Sequence, residues 1–117
     1  MNNELSPLAN AYVRATNNHD RAAFHQLFAD HAVVDDNGRE FRGRDAITEW
    51  SNREIFDAQV TLEVINVIVR EGETVLTTKV EGNFDRTGLP DPVVIDQFMT
   101  LEGGRIVGLA CRLAEAT

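Results

Sequence analysis

The spacing of apolar residues changes character near residue 57. Before it, apolar side chains recur mainly three and four positions apart; after it, they recur at every second position. Ser6-Pro7 is a helix start, because a serine side chain caps exposed amides and proline at the first helical position loses no hydrogen bond. Leu8, Ala9, Tyr12, Val13 and Thr16 then share one face, and Asn17-Asn18-His19 ends the helix. Asp20 caps a second helix whose stripe is Phe24, Leu27 and Phe28. Residues 32–36 predict a short strand. Asn37-Gly38 turns it into a return strand over 39–42, since both residues tolerate positive φ. Gly43 breaks that strand, and a helix over 45–56 presents Ile47, Trp50 and Ser51 on one face.

The second half reads as strands over 60–70, 74–84, 93–101 and 106–113. A turn at Glu71-Gly72-Glu73, a loop over 86–92 and a hairpin at Glu102-Gly103-Gly104 separate them. Helices gathered ahead of a run of antiparallel strands indicate an α+β fold, in one domain over residues 1–117, with helices on one sheet face. On the last strand Val107, Leu109, Cys111 and Leu113 point one way, opposite Ile106, Gly108, Ala110 and Arg112. On the strand before it Val94, Asp96, Phe98 and Thr100 oppose Ile95, Met99 and Leu101. Both faces are largely apolar, and three helices cover only one. A homodimer through the other sheet face is the expected solution.

Charge narrows the partners. Lys and Arg total 11 against 19 Asp and Glu, a formal net charge of −8, which disfavours nucleic acid and anionic lipid. No apolar run approaches the ~20 residues of a membrane helix. The first 15 residues lack the basic start and apolar segment of a signal peptide, so a cytoplasmic location is expected. The single cysteine excludes an internal disulfide framework, and its neighbours suit a small core or pocket residue. His19, His25 and His31 have no metal-ligand spacing and are expected at the surface. No dinucleotide, P-loop or G-x-S-x-G fingerprint is present, so neither cofactor nor metal is expected.

Three polar residues stand out. Asp96 lies mid-strand between apolar neighbours. A carboxylate there is paired, protonated or set at a cavity, unless its strand face is open to solvent. Asp36 shares a face with Val34, and Asp35 with Val33, although Asp before Asn-Gly also suits a turn. Tyr12 points its ring to the core, so its hydroxyl needs a partner or a cavity.

These residues carry a resemblance. Residues 11–20 (AYVRATNNHD) and 27–36 (LFADHAVVDD), the Arg42-Gly43-Arg44-Asp45 helix start and the Ile95-Asp96-Gln97-Phe98 strand resemble the NTF2-like, SnoaL-like superfamily over nearly the whole chain. The resemblance implies a cone: three helices inside a curved antiparallel sheet, an apolar cavity, and commonly a dimer. Within that superfamily the chain is similar to ketosteroid isomerases. Tyr12, Asp36 and Asp96 stand where those enzymes place a helix-one tyrosine, a strand-end aspartate and a penultimate-strand aspartate. The implied reaction is proton abstraction by Asp36 α to a carbonyl, with Tyr12 and a protonated Asp96 holding the oxyanion. A carboxylic acid kept neutral in that role is the standard illustration from this enzyme family. The implied pocket lining is Phe28, Trp50, Thr78, Phe84, Phe98, Leu109 and Leu113, around a small apolar carbonyl compound of steroid or polyketide type. Where those isomerases carry phenyl rings the chain has Thr78, Gly82 and Leu113. A SnoaL-like cyclase and a non-catalytic ligand-binding domain are the other two readings.

Overall fold

The computed structural model describes residues 6–114. Helix α1 spans Pro7–Asn17, and Ser6 accepts a hydrogen bond from the Ala9 amide as its cap. Helix α2 is only Arg21–Gln26, capped by Asp20. The chain then enters β1, Phe28–Asp36, turns at Asn37-Gly38 into β2, Arg39–Arg42, and continues as α3, Gly43–Ser51. A π-helical turn, Asn52–Phe56, prolongs α3. Four strands follow: β3 Thr61–Arg70, β4 Glu73–Glu81, β5 Val94–Glu102 and β6 Arg105–Leu113. The α+β class and element order match the pattern along the chain.

The strand expected over 74–84 ends at Glu81, and two further elements depart from that pattern. Phe28 starts a strand instead of closing the α2 stripe. The Ile106 amide takes the Leu27 carbonyl at 2.8 Å and Phe28 stands in register with Ile106, so pairing with β6 outweighs local helical spacing. The helix expected over 45–56 changes to π geometry at Asn52, which brings both Glu54 and Ile55 to the cavity wall. π-helical turns of this kind recur at functional sites.

One curved, unclosed sheet carries the strands in the order β2-β1-β6-β5-β4-β3. All pairs are antiparallel except β1 with β6, which run parallel with Val34 beside Leu109 and Asp36 beside Cys111. The sheet is therefore mixed, because the last strand returns alongside the first. Met99 and Leu109 are neighbours on the concave face and almost fully buried, as are Thr74, Leu76 and Thr78 on β4. Asn17 fastens α1 to this face: its side chain exchanges hydrogen bonds of 3.0 and 2.7 Å with the Leu62 backbone. Gly82 permits the close approach that follows β4, since a Cβ there would stand 2.9 Å from the Ala58 carbonyl oxygen. Phe24 is the hub of the core, its ring 5.3 Å from those of Tyr12, Phe28 and Phe56.

On the convex face Ile68, Val75, Phe98 and Ala110 form a stripe across four strands, and Asp96 and Thr77 lie beside it. None of the helices among the described residues is long and apolar enough to cross a membrane.

Candidate functional site

A cavity of about 380 Å³ opens between the helices and the concave face. Its wall is mostly apolar, with Trp50, Ile55, Leu62, Phe84 and Leu113 among the lining residues, and Tyr12, Asp36, Arg39, Gln97 and Cys111 supply polar atoms.

Asp36 owes its position to alternation along β1. Val34 and Asp36 face inward, while Val33 and Asp35 face out, so the two adjacent acids have separate fates. Asp35 binds Arg112 through both carboxylate oxygens, at 3.1 and 2.9 Å, and accepts from the Gly38 amide. That guanidinium, then the Gly38 amide, holds the Asp35 carboxyl below the usual carboxylate range. Asp36 is sheltered instead, its side chain 17% exposed. Its Oδ2 accepts from Trp50 Nε1 at 3.0 Å and from Arg39 Nη2 at 2.7 Å. Arg39 also reaches Glu54 of the π-helical turn at 3.3 Å. Oδ1 receives no hydrogen bond from the described residues, so the carboxylate is aimed by one oxygen and keeps the other open.

Tyr12 is 2% exposed, and its hydroxyl donates to Gln97 Oε1 at 2.6 Å. Gln97 Nε2 donates to Thr78 Oγ1 at 3.1 Å, and Thr78 donates to the Ile95 carbonyl at 2.9 Å. Burial pushes the Tyr12 phenol well above its usual value, and nearby Cys111 and Asp36 push it the same way. It stays protonated at any ordinary pH.

The structure does not bring Asp96 to this cavity. Asp96 stands on the convex face, opposite Arg112 and Thr77 in the register, and accepts from Thr77 Oγ1 at 2.7 Å. Gln97, its neighbour, takes the inward place. The reason is the pleat: Ile95, Gln97 and Met99 alternate inward, so Asp96 and Phe98 must face out. Of the expected lining, Trp50, Phe84 and Leu113 line the cavity. Phe98 is on the wrong face. Phe28 and Leu109 are buried in the core outside the cavity wall, and Thr78 lies behind Gln97. His25 also departs from expectation. It is half-buried, bonds Ser51 Oγ at 2.9 Å and packs against Phe24 and Phe56. Burial first, then Arg21 and Arg44, lowers its pKa. His19 and His31 are exposed.

Burial pushes the Cys111 thiol from 9.0 up to about 12, and Asp36 adds to the shift. The folded protein keeps this proton where the unfolded chain loses it, so the unfolded state binds fewer protons above pH 9. Stability contributed by the thiol is complete below about pH 9 and is lost as pH rises towards about 12. The urea midpoint is expected to fall between pH 8 and pH 10, and to fall less in Cys111→Ala. Equal slopes in both proteins would contradict the shift.

Comparison with known proteins identifies the family and the fold. The sequence model of the SnoaL-like domain family matches residues 9–109. The chain belongs to that family. Among solved structures, this SnoaL-like domain is similar to a candidate polyketide cyclase from Sinorhizobium meliloti, with 29% identity and a TM-score of 0.82 over 92% of this chain and 95% of that one. It shares its fold with a candidate ketosteroid isomerase from Kribbella flavida, with 14% identity and a TM-score of 0.77 over 94% and 77% of the chains. The same holds for a Mycobacterium tuberculosis protein in complex with estradiol-17β-hemisuccinate, with 17% identity and a TM-score of 0.76 over 89% and 88%. No curated protein matches the sequence significantly.

Proposed function

We propose that this SnoaL-like domain is a cofactor-independent enzyme that removes a proton α to a carbonyl of a small apolar compound, with Asp36 as the general base. The observation that carries the reading is the Asp36 carboxylate, sheltered at an apolar cavity, oriented through Oδ2 by Trp50 and Arg39 and open at Oδ1. The Arg39 guanidinium beside it lines the same cavity and offers donors to an enolate oxygen. Part of that charge is already shared between Asp36 and Glu54.

No second acid joins Tyr12, because Asp96 faces out. The oxyanion support that an isomerase of simple ketones needs is therefore reduced, and the enolate must draw stability from its own conjugation. This favours activated carbon acids, of 1,3-dicarbonyl type, and cyclase-type carbon–carbon chemistry over double-bond migration. The likeness to a candidate polyketide cyclase supports the same choice. The test is the enolisation rate of 2-acetyl-1-tetralone by absorbance, beside isomerisation of 5-androstene-3,17-dione to its conjugated enone. Acceleration of the diketone well above that of the steroid is expected. Acceleration of neither, with saturable binding of both, would leave a binding protein. That second reading is favoured by the commitment of the Tyr12 hydroxyl to Gln97, and by the estradiol derivative in the mycobacterial relative.

The same proposal includes a cytoplasmic homodimer joined through the convex stripe of Ile68, Val75, Phe98 and Ala110. Light scattering at micromolar concentration is expected to give twice the 13.0 kDa chain mass, and Phe98→Glu to give the single mass. A monomer in the unaltered protein would remove the dimer.

A further inference from the structure

The hydrogen-bonded chain behind Tyr12 has a direction, and its far end sets it. The Ile95 carbonyl can only accept, so the Thr78 hydroxyl 2.9 Å away must spend its single proton there. Thr78 Oγ1 then has only lone pairs for Gln97, and the amide turns Nε2 to it at 3.1 Å. This leaves Gln97 Oε1 facing Tyr12, which donates to it at 2.6 Å. Rotating the Gln97 amide by half a turn would make Thr78 donate to Gln97. Two oxygens, Thr78 Oγ1 and the Ile95 carbonyl, would then oppose each other at 2.9 Å with no proton between them. The three side chains are buried: Tyr12 is 2%, Gln97 3% and Thr78 0% exposed, so water does not reach Thr78 Oγ1 to rescue the reversed arrangement. Tyr12 lines the cavity with its proton already used, and its oxygen offers lone pairs only. A ligand carbonyl oxygen set against it would meet repulsion. A ligand hydroxyl would find an acceptor.

We propose that Gln97 and Thr78 are positioning residues that hold Tyr12 as an acceptor, so that the pocket selects apolar carbonyl compounds bearing a hydroxyl at the inner end. The inference rests on the reading of the cavity as the site of an apolar carbonyl compound, and narrows that class to hydroxy-carbonyl compounds. The carbonyl lies toward Arg39, whose guanidinium is all donors, and the hydroxyl toward Tyr12. Substrate orientation in the cavity follows from these two groups: the Arg39 guanidinium donates to the carbonyl and the Tyr12 oxygen accepts from the hydroxyl.

Three bicyclic probes of nearly equal size separate donor from acceptor: 2-decalol, 2-decalone and 2-methoxydecalin. Calorimetric titration of the unaltered protein is expected to show the alcohol bound about tenfold more tightly than the ketone or the ether, the scale of one hydrogen bond in a sheltered site. Gln97→Met returns the Tyr12 proton to the cavity, and the order of alcohol and ketone reverses. Tyr12→Phe brings their affinities together. A purely structural role for Gln97 would weaken all three probes in proportion and leave their order unchanged. Equal or tighter binding of the ketone by the unaltered protein overturns the proposal. So does an alcohol preference that survives in Gln97→Met or in Tyr12→Phe. A ligand-free measurement stands beside the titrations in case a variant does not fold or no probe binds. The Tyr12 hydroxyl proton, slowed in exchange by burial, gives a downfield NMR signal with a cross-peak to the Gln97 side chain. Its absence from that contact also overturns the proposal. The preference is read without turnover. An alcohol preference with no diketone enolisation defeats only the proposed reaction, and enolisation without the preference defeats only this inference.

Discussion

Asp36→Asn is expected to slow enolisation of 2-acetyl-1-tetralone by about 10²–10⁴-fold, the usual contribution of a positioned general base. The substitution changes little else. An asparagine oxygen still accepts from Trp50 Nε1 and Arg39 Nη2, which reach Asp36 Oδ2 at 3.0 and 2.7 Å. The side chain therefore stays aimed while its basicity disappears. KM moves much less than kcat, because the apolar wall that holds the ligand is untouched. Asp96→Asn is the matching control. Asp96 faces away from the cavity and accepts a hydrogen bond from Thr77 at 2.7 Å, so its amide is expected to leave the rate within about twofold. A reversed result, with Asp96→Asn inactive and Asp36→Asn active, would remove Asp36 from the reaction altogether.

Phe24→Ala is expected to lower stability by about 3–5 kcal/mol, read from urea unfolding with an unchanged m value. The ring is fully buried and touches three others at 5.3 Å, so truncation removes transfer energy and leaves a hole bounded by rigid aromatics. α2 is only six residues long and cannot close that hole by itself. Against a typical total of about 5–15 kcal/mol the loss leaves a marginal protein. The effect extends to the site, because Phe24 backs the ring of Tyr12. A loss below 1 kcal/mol would mean that the surrounding rings collapse inward, and the cavity shape would then change with them.

The chain announces most of this architecture. The Ser6-Pro7 start, the Asn37-Gly38 turn and the change of period after residue 57 each have a local cause, and each element stands where its local cause puts it. The separation of Asp35 from Asp36 is also readable, since alternation from the buried Val34 carries Asp36 inward. β5 is different. Its two faces are about equally apolar, so composition alone does not tell which one looks inward. The missing signal lies across the strands. The turn at Gly103-Gly104 by itself would set Cys111 opposite Asp96; an irregularity between Thr100 and Leu101 shifts the register by one residue and brings Arg112 there, on the solvent face. Gln97 is neither acid nor base, and it gains its importance only from Tyr12, 85 positions away. The π-helical turn at Asn52 and the early end of α2 likewise depend on tertiary pairing that no short window contains.

The parallel pairing of β1 with β6 sets an order of events during synthesis. β1 has only the four-residue β2 and β6 as neighbours, and β6 ends at Leu113. The strand that carries Asp36 is made first of the strands in the sheet, yet its main hydrogen-bonding partner is made after all the others. At ~5–20 residues per second the nascent chain holds an apolar edge open for several seconds before β6 arrives. Chaperone dependence of the newly made protein, and the tolerance of the cell for slow codons between those of β1 and β6, are thus tied to the way the sheet is closed.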